Sequence, residues 1–452
     1  MNRESLPARS NSALCASLAV WAVAAGGLVS VFVSPLLIVV PVVGAFVLWF
    51  VTKYPVSALG AVLAFMPLDF LMIAMGKFFG LPHMTLISIL DKEGILLLLA
   101  FILWQRNGFT LTAPDCFLLA CLVMAVVRTA FGGTLDGLVI DFAFIAPYLV
   151  GRVTVLRPEQ QRNWAKRAVW IVGVLAVLGL IEVFVLGAGP RTLLYSAIDA
   201  KSEMGSFHAT EFAGLREAAT MVGPNGFGVL CMVALILWWV YSRNPLPAGL
   251  VALGLICSVT RAAWLGTAVA IILLAFVTAQ TPRLLRCVGI VAALFAMSIP
   301  LLGLSDYLRA SKTGEDTSMD WHRDSIVDGV SYAAGHLLGA GNQRIGTVAV
   351  EQDGDAPVFE TTYPALAAEY GMATSLCFVG FLITALFRIW HQKSLLGYTS
   401  FGVLVGIAVI MVVAIPLQYR RRDCWVCFPL GLCIAESTRR CRTALPGAIG
   451  GS

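Results

Sequence analysis

Three separated stretches of this chain combine arginines, which can bind phosphate, with carboxylates, histidines and tyrosines, which can move a proton. The first is Gly214-Leu-Arg216-Glu217-Ala-Ala-Thr-Met-Val-Gly223-Pro224-Asn225-Gly226, where a Pro-Asn-Gly turn leads directly into an apolar run and so reads as a helix start. An arginine at a membrane surface can bind a phosphate, and an interfacial anchor is the plainer reading of Arg216. The second is Ser258-Val-Thr260-Arg261-Ala-Ala-Trp264, an arginine inside nearly continuous apolar sequence. A guanidinium at membrane depth is costly unless a partner or a water-filled cavity receives it. Arg261 is therefore a functional candidate, with pairing to a membrane carboxylate as the competing explanation. The third is the polar stretch from Ser305 to Thr361 with the helix start that follows. It holds Trp321-His322-Arg323-Asp324, then His336-Leu-Leu-Gly339-Ala-Gly341-Asn342, then Glu360-Thr-Thr-Tyr363-Pro-Ala-Leu-Ala-Ala-Glu369-Tyr370-Gly371.

The rest of the chain must hold these stretches in place, and its composition says how. Of 452 residues, 59% are hydrophobic and 13% charged, about half the charge of an ordinary soluble protein. With a mean hydropathy of +0.85, this is a polytopic membrane protein. Its apolar runs are continuous rather than alternating, which predicts an all-α transmembrane bundle and excludes a barrel. The net charge of +5 reads as a topology signal, and no patch suits nucleic acid. Most cysteines sit inside apolar runs as small hydrophobes. Cys424 and Cys427 form a C-x-x-C with Cys433 and Cys441 beyond, but no histidine follows and no standard zinc spacing results, so no metal site is expected.

Candidate spans are Ala13–Val33, Pro35–Val51, Val56–Met75, Gly94–Trp104, Cys116–Phe131, Leu138–Gly151, Ala168–Leu186, Met221–Tyr241, Leu246–Val259, Ala262–Val277, Val288–Leu304, Thr362–Ile389 and Leu395–Leu417, with a short final run at Trp425–Ile434. Several are too short for a full crossing, so about twelve helices are expected in a single membrane domain over residues 1–452. The first run reads as membrane helix rather than a cleaved signal, since it continues apolar past Trp21 without a small-residue cleavage site. Arg3, Arg9, Lys53, Arg106, the cluster Arg152 to Arg167, Arg243, Arg283, Arg286, Arg388 and Lys393 fall in alternate loops. Cytoplasmic loops are enriched in such residues, which sets the N-terminus in the cytoplasm and turns residues 187–220, the Thr260-Arg261 corner and the 305–361 loop outward. Arg420-Arg421-Arg422 breaks this pattern. Within the long loop, Ile326, Val327, Val330, Ala333, Ala334 and Leu337 recur at helical spacing, predicting an amphipathic helix over Asp320–Gly335 on the membrane face, ended near Gly339.

In this order and on one side of a membrane, the three stretches resemble the O-antigen ligase and polymerase superfamily of bacterial membrane glycosyltransferases. Arg216 with Pro224-Asn225, Thr260-Arg261-Ala-Ala-Trp264, His336-Leu-Leu-Gly339-Ala-Gly341 and Glu360-Thr-Thr-Tyr363 through Glu369-Tyr-Gly371 carry the resemblance, over roughly Arg216 to Phe387. Where the ligases have a histidine, this chain has Glu360, which favours a polymerase of exopolysaccharide or O-antigen repeats over a ligase. The resemblance implies transfer of a glycan from a polyprenyl-pyrophosphate carrier to a sugar hydroxyl of a growing chain at the outer face of the bacterial inner membrane, with no cofactor and no metal. Other polysaccharide assembly proteins would be its partners. Arg216 and Arg261 then serve the pyrophosphate, with Arg323 as a third ligand, because the planar guanidinium grips phosphate oxygens in pairs. Glu360 becomes the candidate base, raised by its apolar surroundings and lowered by nearby arginines, while a carboxylate favoured by a helix dipole is its plainer reading. Asn225, Tyr363 and Glu369 support the site, and His322 is a second candidate base. His83, His208 and His336 read as interfacial or loop residues. Glu182, Asp69, Asp136 and Asp141, in or beside apolar runs, could instead mark an ion pathway. A transporter or flippase, or a non-enzymatic assembly protein, are the competing classes; no internal repeat of the kind that marks many transporters is evident.

Overall fold

The computed structural model describes residues 36–79, 93–186, 208–210, 213–215, 219, 224–285, 288–289, 292, 296, 318–342, 344–345, 357, 359, 361–413 and 423–443. In chain order its helices are α1 (Leu36–Lys53), α2 (Pro55–Phe65), α3 (Asp69–Phe78), α4 (Ile95–Asn107), α5 (Ala113–Ala130), α6 (Leu135–Asp141), α7 (Ile145–Val153) and α8 (Pro158–Ile181). They continue with α9 (Pro224–Tyr241), α10 (Pro245–Cys257), α11 (Arg261–Val277), α12 (Ser318–Gly335), α13 (Thr362–Tyr370), α14 (Met372–Trp390), α15 (Leu395–Val413) and α16 (Asp423–Thr443). Two three-residue antiparallel strands, His208–Thr210 and Ala213–Leu215, lie beside the first candidate stretch.

Among the described residues, five helices are long and apolar enough to cross a membrane: α5, α8 with its extension to Leu186, α9, α14 and α15. A sixth is α1 with α2 if the pair, bent by 119°, counts as one span. Helix α9 is the axis: 83% of its apolar window is buried, against 28% for α5 and 33% for α8 and α14. A helix apolar on every side has no face to offer water, so it is enclosed by neighbours, here α8, α10, α11 and α15. Helices α11 and α15 meet where Gly266 faces the Gly406 backbone, a position where a Cβ would come within 2.8 Å of the Gly406 carbonyl oxygen. Small residues at such crossings let backbones approach and van der Waals contact take over.

Hydrogen bonds gather the basic residues at one end of the bundle. Arg106 donates to the Thr52 carbonyl, Arg283 to the carbonyls of Trp239 and Ser242, Arg388 to Thr438 and Arg439 to the Thr154 carbonyl. At this end Asp115, in the first turn of α5, is buried against Arg152 of α7. Its two oxygens accept from Arg152 Nε (2.8 Å) and Nη2 (2.7 Å), from the Tyr148 hydroxyl (2.7 Å) and from the backbone and side chain of Thr112. The final apolar run is α16, buried from Trp425 to Ala435. It packs most heavily on α7 and touches Trp164, Gln392 and Ser400, all within about two turns of the basic end, so it runs along that end. Cys427 and Cys433 are buried within it. Arg420 to Arg422 lie outside the described residues.

Three expected spans are interrupted. The run Val56–Met75 divides at Met66–Leu68 into α2 and α3, the run Leu138–Gly151 divides into α6 and α7, and the run Thr362–Ile389 breaks at Gly371 into α13 and α14. The amphipathic helix is α12; its buried side is Ser325, Gly329 and Ala333, with Gly329 against Phe359 and Pro364, while Val327, Val330 and Leu337 are exposed.

Removing one partner of a buried ion pair leaves an uncompensated charge, at a cost of about 3–5 kcal/mol, whereas replacing both with apolar groups costs far less. Asp115→Ala is expected to lower the unfolding temperature in detergent sharply and Asp115→Leu with Arg152→Met much less. Equal losses would show that packing, rather than the unpaired charge, sets the effect.

Candidate functional site

Both α9 and α11 begin at the end opposite the basic one, and their starts touch. Thr260, the N-cap of α11, donates its hydroxyl to the Pro224 carbonyl (3.1 Å) and sits 3.4 Å from Asn225 Oδ1. The first two candidate stretches are thereby one structure, with Arg261 as the first residue of α11 and Asn225 as the second of α9. Each helix start carries the positive end of a dipole, and two together favour an anion. An arginine in a first turn gains nothing from its own helix dipole. The corner is strained: Val259 is buried with φ of 48°, a conformation costly for a β-branched side chain.

A second cluster at the same end joins four segments. The turn at Gly339-Ala-Gly341-Asn342 lies across the end of α13, where the Ala340 and Gly341 amides donate to the carbonyls of Ala368 (2.7 Å) and Glu369 (2.9 Å). These are orphaned carbonyls of a helix terminus, capped from outside the helix. The Met372 amide returns the favour to the Leu337 carbonyl at 3.0 Å. Asn342 then bridges to the α5–α6 turn: Thr134 N–H donates to Asn342 Oδ1 (2.7 Å), and Asn342 Nδ2 donates to the Thr134 carbonyl and to the Tyr370 hydroxyl (each 3.0 Å). The Tyr370 hydroxyl donates in turn to Asp141 Oδ2 at 2.6 Å.

Asp141 ends α6, and Glu369 of α13 hydrogen-bonds to it; both are buried. Glu369 Oε2 has no hydrogen-bond partner among the described residues. Two touching carboxyls in an apolar setting cannot both ionise, so the pair holds a proton. Helices α6 and α13 stand outside the segments long enough to cross a membrane. Burial first, then the neighbouring Asp141, pushes the Glu369 carboxyl well above its ordinary range.

The remaining expected residues fall as follows. Tyr363 directs its hydroxyl at the Ala408 carbonyl of α15 (3.5 Å) and its ring packs near Phe378. Since α11 also rests on α15 through Gly266, the helices of Tyr363 and Arg261 share that support. Arg323 is exposed on α12 beside Asp324 at 3.3 Å, away from the close-packed cluster. His336 stacks on Tyr332 with ring centroids 4.2 Å apart. Arg216 and Glu360 lie outside the described residues, as does the side chain of His322.

Sequence reasoning passed over Asn342 and Arg128. Asn342 was signalled by a polar side chain directly after a Gly-x-Gly turn. Arg128, near the end of α5, lies beside the Gly132 and Gly341 turns with a buried Nε that has no partner among the described residues; an arginine closing an apolar run was its signal. The described residues hold no cluster of histidine, cysteine and carboxylate side chains suited to a metal. Compared with known proteins, the chain matches no family model and no curated protein sequence.

Gly341 has φ of 93° and a Cβ there would run into the Gly132 carbonyl oxygen. Gly341→Ala is therefore expected to loosen the cluster, read as faster proteolysis between α12 and α13 with the spanning helices intact. Glu369 binds its proton more tightly folded than unfolded. The folded state thus carries the extra proton above the ordinary carboxyl value of 4.5, and stability falls as pH rises beyond it. Glu369→Gln keeps a donor for Asp141 without the ionisation. From about pH 5 to about pH 9 the wild-type unfolding temperature is expected to drop more than the variant's; parallel slopes would remove Glu369 as the source.

Proposed function

We propose that this protein polymerises polyprenyl-pyrophosphate-linked oligosaccharide repeat units at the outer face of a bacterial inner membrane, as a member of the O-antigen ligase and polymerase superfamily. The observation that carries this reading is the meeting of two helix starts, with Asn225 and Arg261, at the end of the bundle that also gathers the Gly339–Asn342 turn and Glu369-Tyr370-Gly371. The chain would cross the membrane about twelve times with its N-terminus and basic end in the cytoplasm, and the 305–361 loop would cover the opposite end.

In this reading the acceptor hydroxyl attacks the anomeric carbon of the donor glycan, the bond to the pyrophosphate oxygen breaks, and the hydroxyl proton passes to Glu360. Arg261 and Arg216, with the two helix starts, take up the charge that develops on the departing pyrophosphate, and Arg323 reaches in from α12. Stabilising that charge in place lowers the barrier directly, and one such donor is worth on the order of 10²–10³ in rate. Asn225 fixes the corner through Thr260, Tyr363 ties α13 to α15, and Glu369 is a positioning residue that holds the turn through Asp141 and Asn342.

A different class has its own support. A buried carboxyl pair holding a proton is what a proton-coupled transporter or flippase needs. A ligase transferring the glycan to another acceptor uses the same donor site.

The test is purified protein supplied with a lipid-pyrophosphate-linked repeat unit and no nucleotide sugar. Wild type is expected to yield a ladder of lengthening products, and Arg261→Ala and Glu360→Gln to lose it at normal protein levels. A ladder surviving in Arg261→Ala overturns the phosphate assignment. Single repeats trapped on the cytoplasmic face of a strain lacking the protein identify a flippase instead.

A further inference from the structure

At the basic end, far from the candidate site, α2, α8 and α16 enclose a cavity of about 500 Å³, within the roughly 300–1,000 Å³ range of ligand pockets. Its α8 wall is one helical stripe that changes character with depth. Gln160, Asn163 and Arg167 come first, then Ala168 and Ile171. At 1.5 Å per residue the stripe from 160 to 171 is about 16 Å long, enough for a polar headgroup followed by part of an acyl chain. The α2 wall runs the same way from Ser57 to Gly60, Ala61 and Ala64, and Trp425 and Phe428 of α16, packed on Trp164 of α8, form the third side. Arg157, Arg162 and Lys166 flank the polar mouth on the same turns of α8. Arg167 is exposed and makes no hydrogen bond or ion pair with the described residues. A second cavity on α2, of about 330 Å³, is lined only by apolar side chains, so the polar mouth is particular to this one.

A polar, cationic mouth leading to an apolar floor between membrane helices fits one kind of molecule, an amphiphile with an anionic head. We propose that this cavity binds an anionic glycerophospholipid, its phosphate on Arg167 and Asn163 and one acyl chain along Ile171 and Ala64. The site is independent of the glycan reading and would stand if that reading fell.

The experiment is native mass spectrometry of the protein released from nanodiscs containing equal phosphatidylglycerol and phosphatidylcholine. Wild type is expected to retain phosphatidylglycerol over phosphatidylcholine. Arg167→Gln should cut that preference about tenfold, while Arg162→Gln, which changes a neighbouring charge outside the cavity, leaves it intact. Ala61→Trp, which fills the cavity, should abolish retention of both lipids. An exposed arginine puts no fold at risk, so an unchanged preference in Arg167→Gln overturns the proposal. So does displacement of phosphatidylglycerol by inorganic phosphate, which would mark a simple anion site. A photoreactive side chain at position 61 is expected to capture lipid, and capture of the chain's own N-terminal segment would overturn the proposal as well.

Discussion

A backbone amide or carbonyl left unpaired in an apolar medium costs several kcal/mol, and that constraint shapes the part of this molecule that matters most. Unbroken helices satisfy themselves. At the end opposite the basic one, the breaks at α5–α6, α12–α13 and α13–α14 meet one another's orphaned groups. Two of the last carbonyls of α13 accept hydrogen bonds from the Ala340 and Gly341 amides, the first amide of α14 donates to the Leu337 carbonyl, and Asn342 pairs with both sides of Thr134. Each break is tolerable because the others exist. This mutual capping brings together residues from four segments that the chain keeps far apart.

The two ends solve the problem of buried charge differently. At the basic end Asp115 is ionised against Arg152 and wrapped by Tyr148 and Thr112, so charge is cancelled by charge. At the other end Asp141 has Glu369 instead, and charge is suppressed by sharing a proton. The first arrangement binds two opposite charges to each other. The second stores a titratable proton beside the turn that the proposed function depends on.

Much of this was legible in the sequence, and the limits have physical causes. Length of apolar runs located α5, α8, α9, α14 and α15 because hydropathy acts on every residue of a span. Alternating lysines and arginines foretold the basic end for the same reason, as a sum over many side chains. The motifs around Asn225, Thr260-Arg261, Gly339-x-Gly341 and Glu369-Tyr370-Gly371 were recognisable as turns and helix starts. Which motif would meet which was not, because pairing depends on crossing angles and on single contacts such as Gly266 against Gly406. The breaks in the Leu138–Gly151 and Thr362–Ile389 runs escaped notice because one charged residue beside each, Asp141 or Glu369, barely lowers the hydropathy of a whole run. The inner face of α12 was not legible because Ser325 and Gly329 pack inward by virtue of being small, a property hydropathy does not score.

The bridge between Asn342 and Thr134 has a consequence in time. Its partners are 208 residues apart, and Tyr370 and Asp141 are 229 apart. At a synthesis rate of roughly 5–20 residues per second, Asp141 waits on the order of ten to fifty seconds after leaving the ribosome before Tyr370 is made. For that interval the early helices are already in place with one end unsealed, and whatever occupies it must be water, lipid headgroups or a chaperone. A nascent chain halted before α13 would have α5, α8 and α9 but none of the joined cluster, so this end of the bundle is completed only once α13 appears.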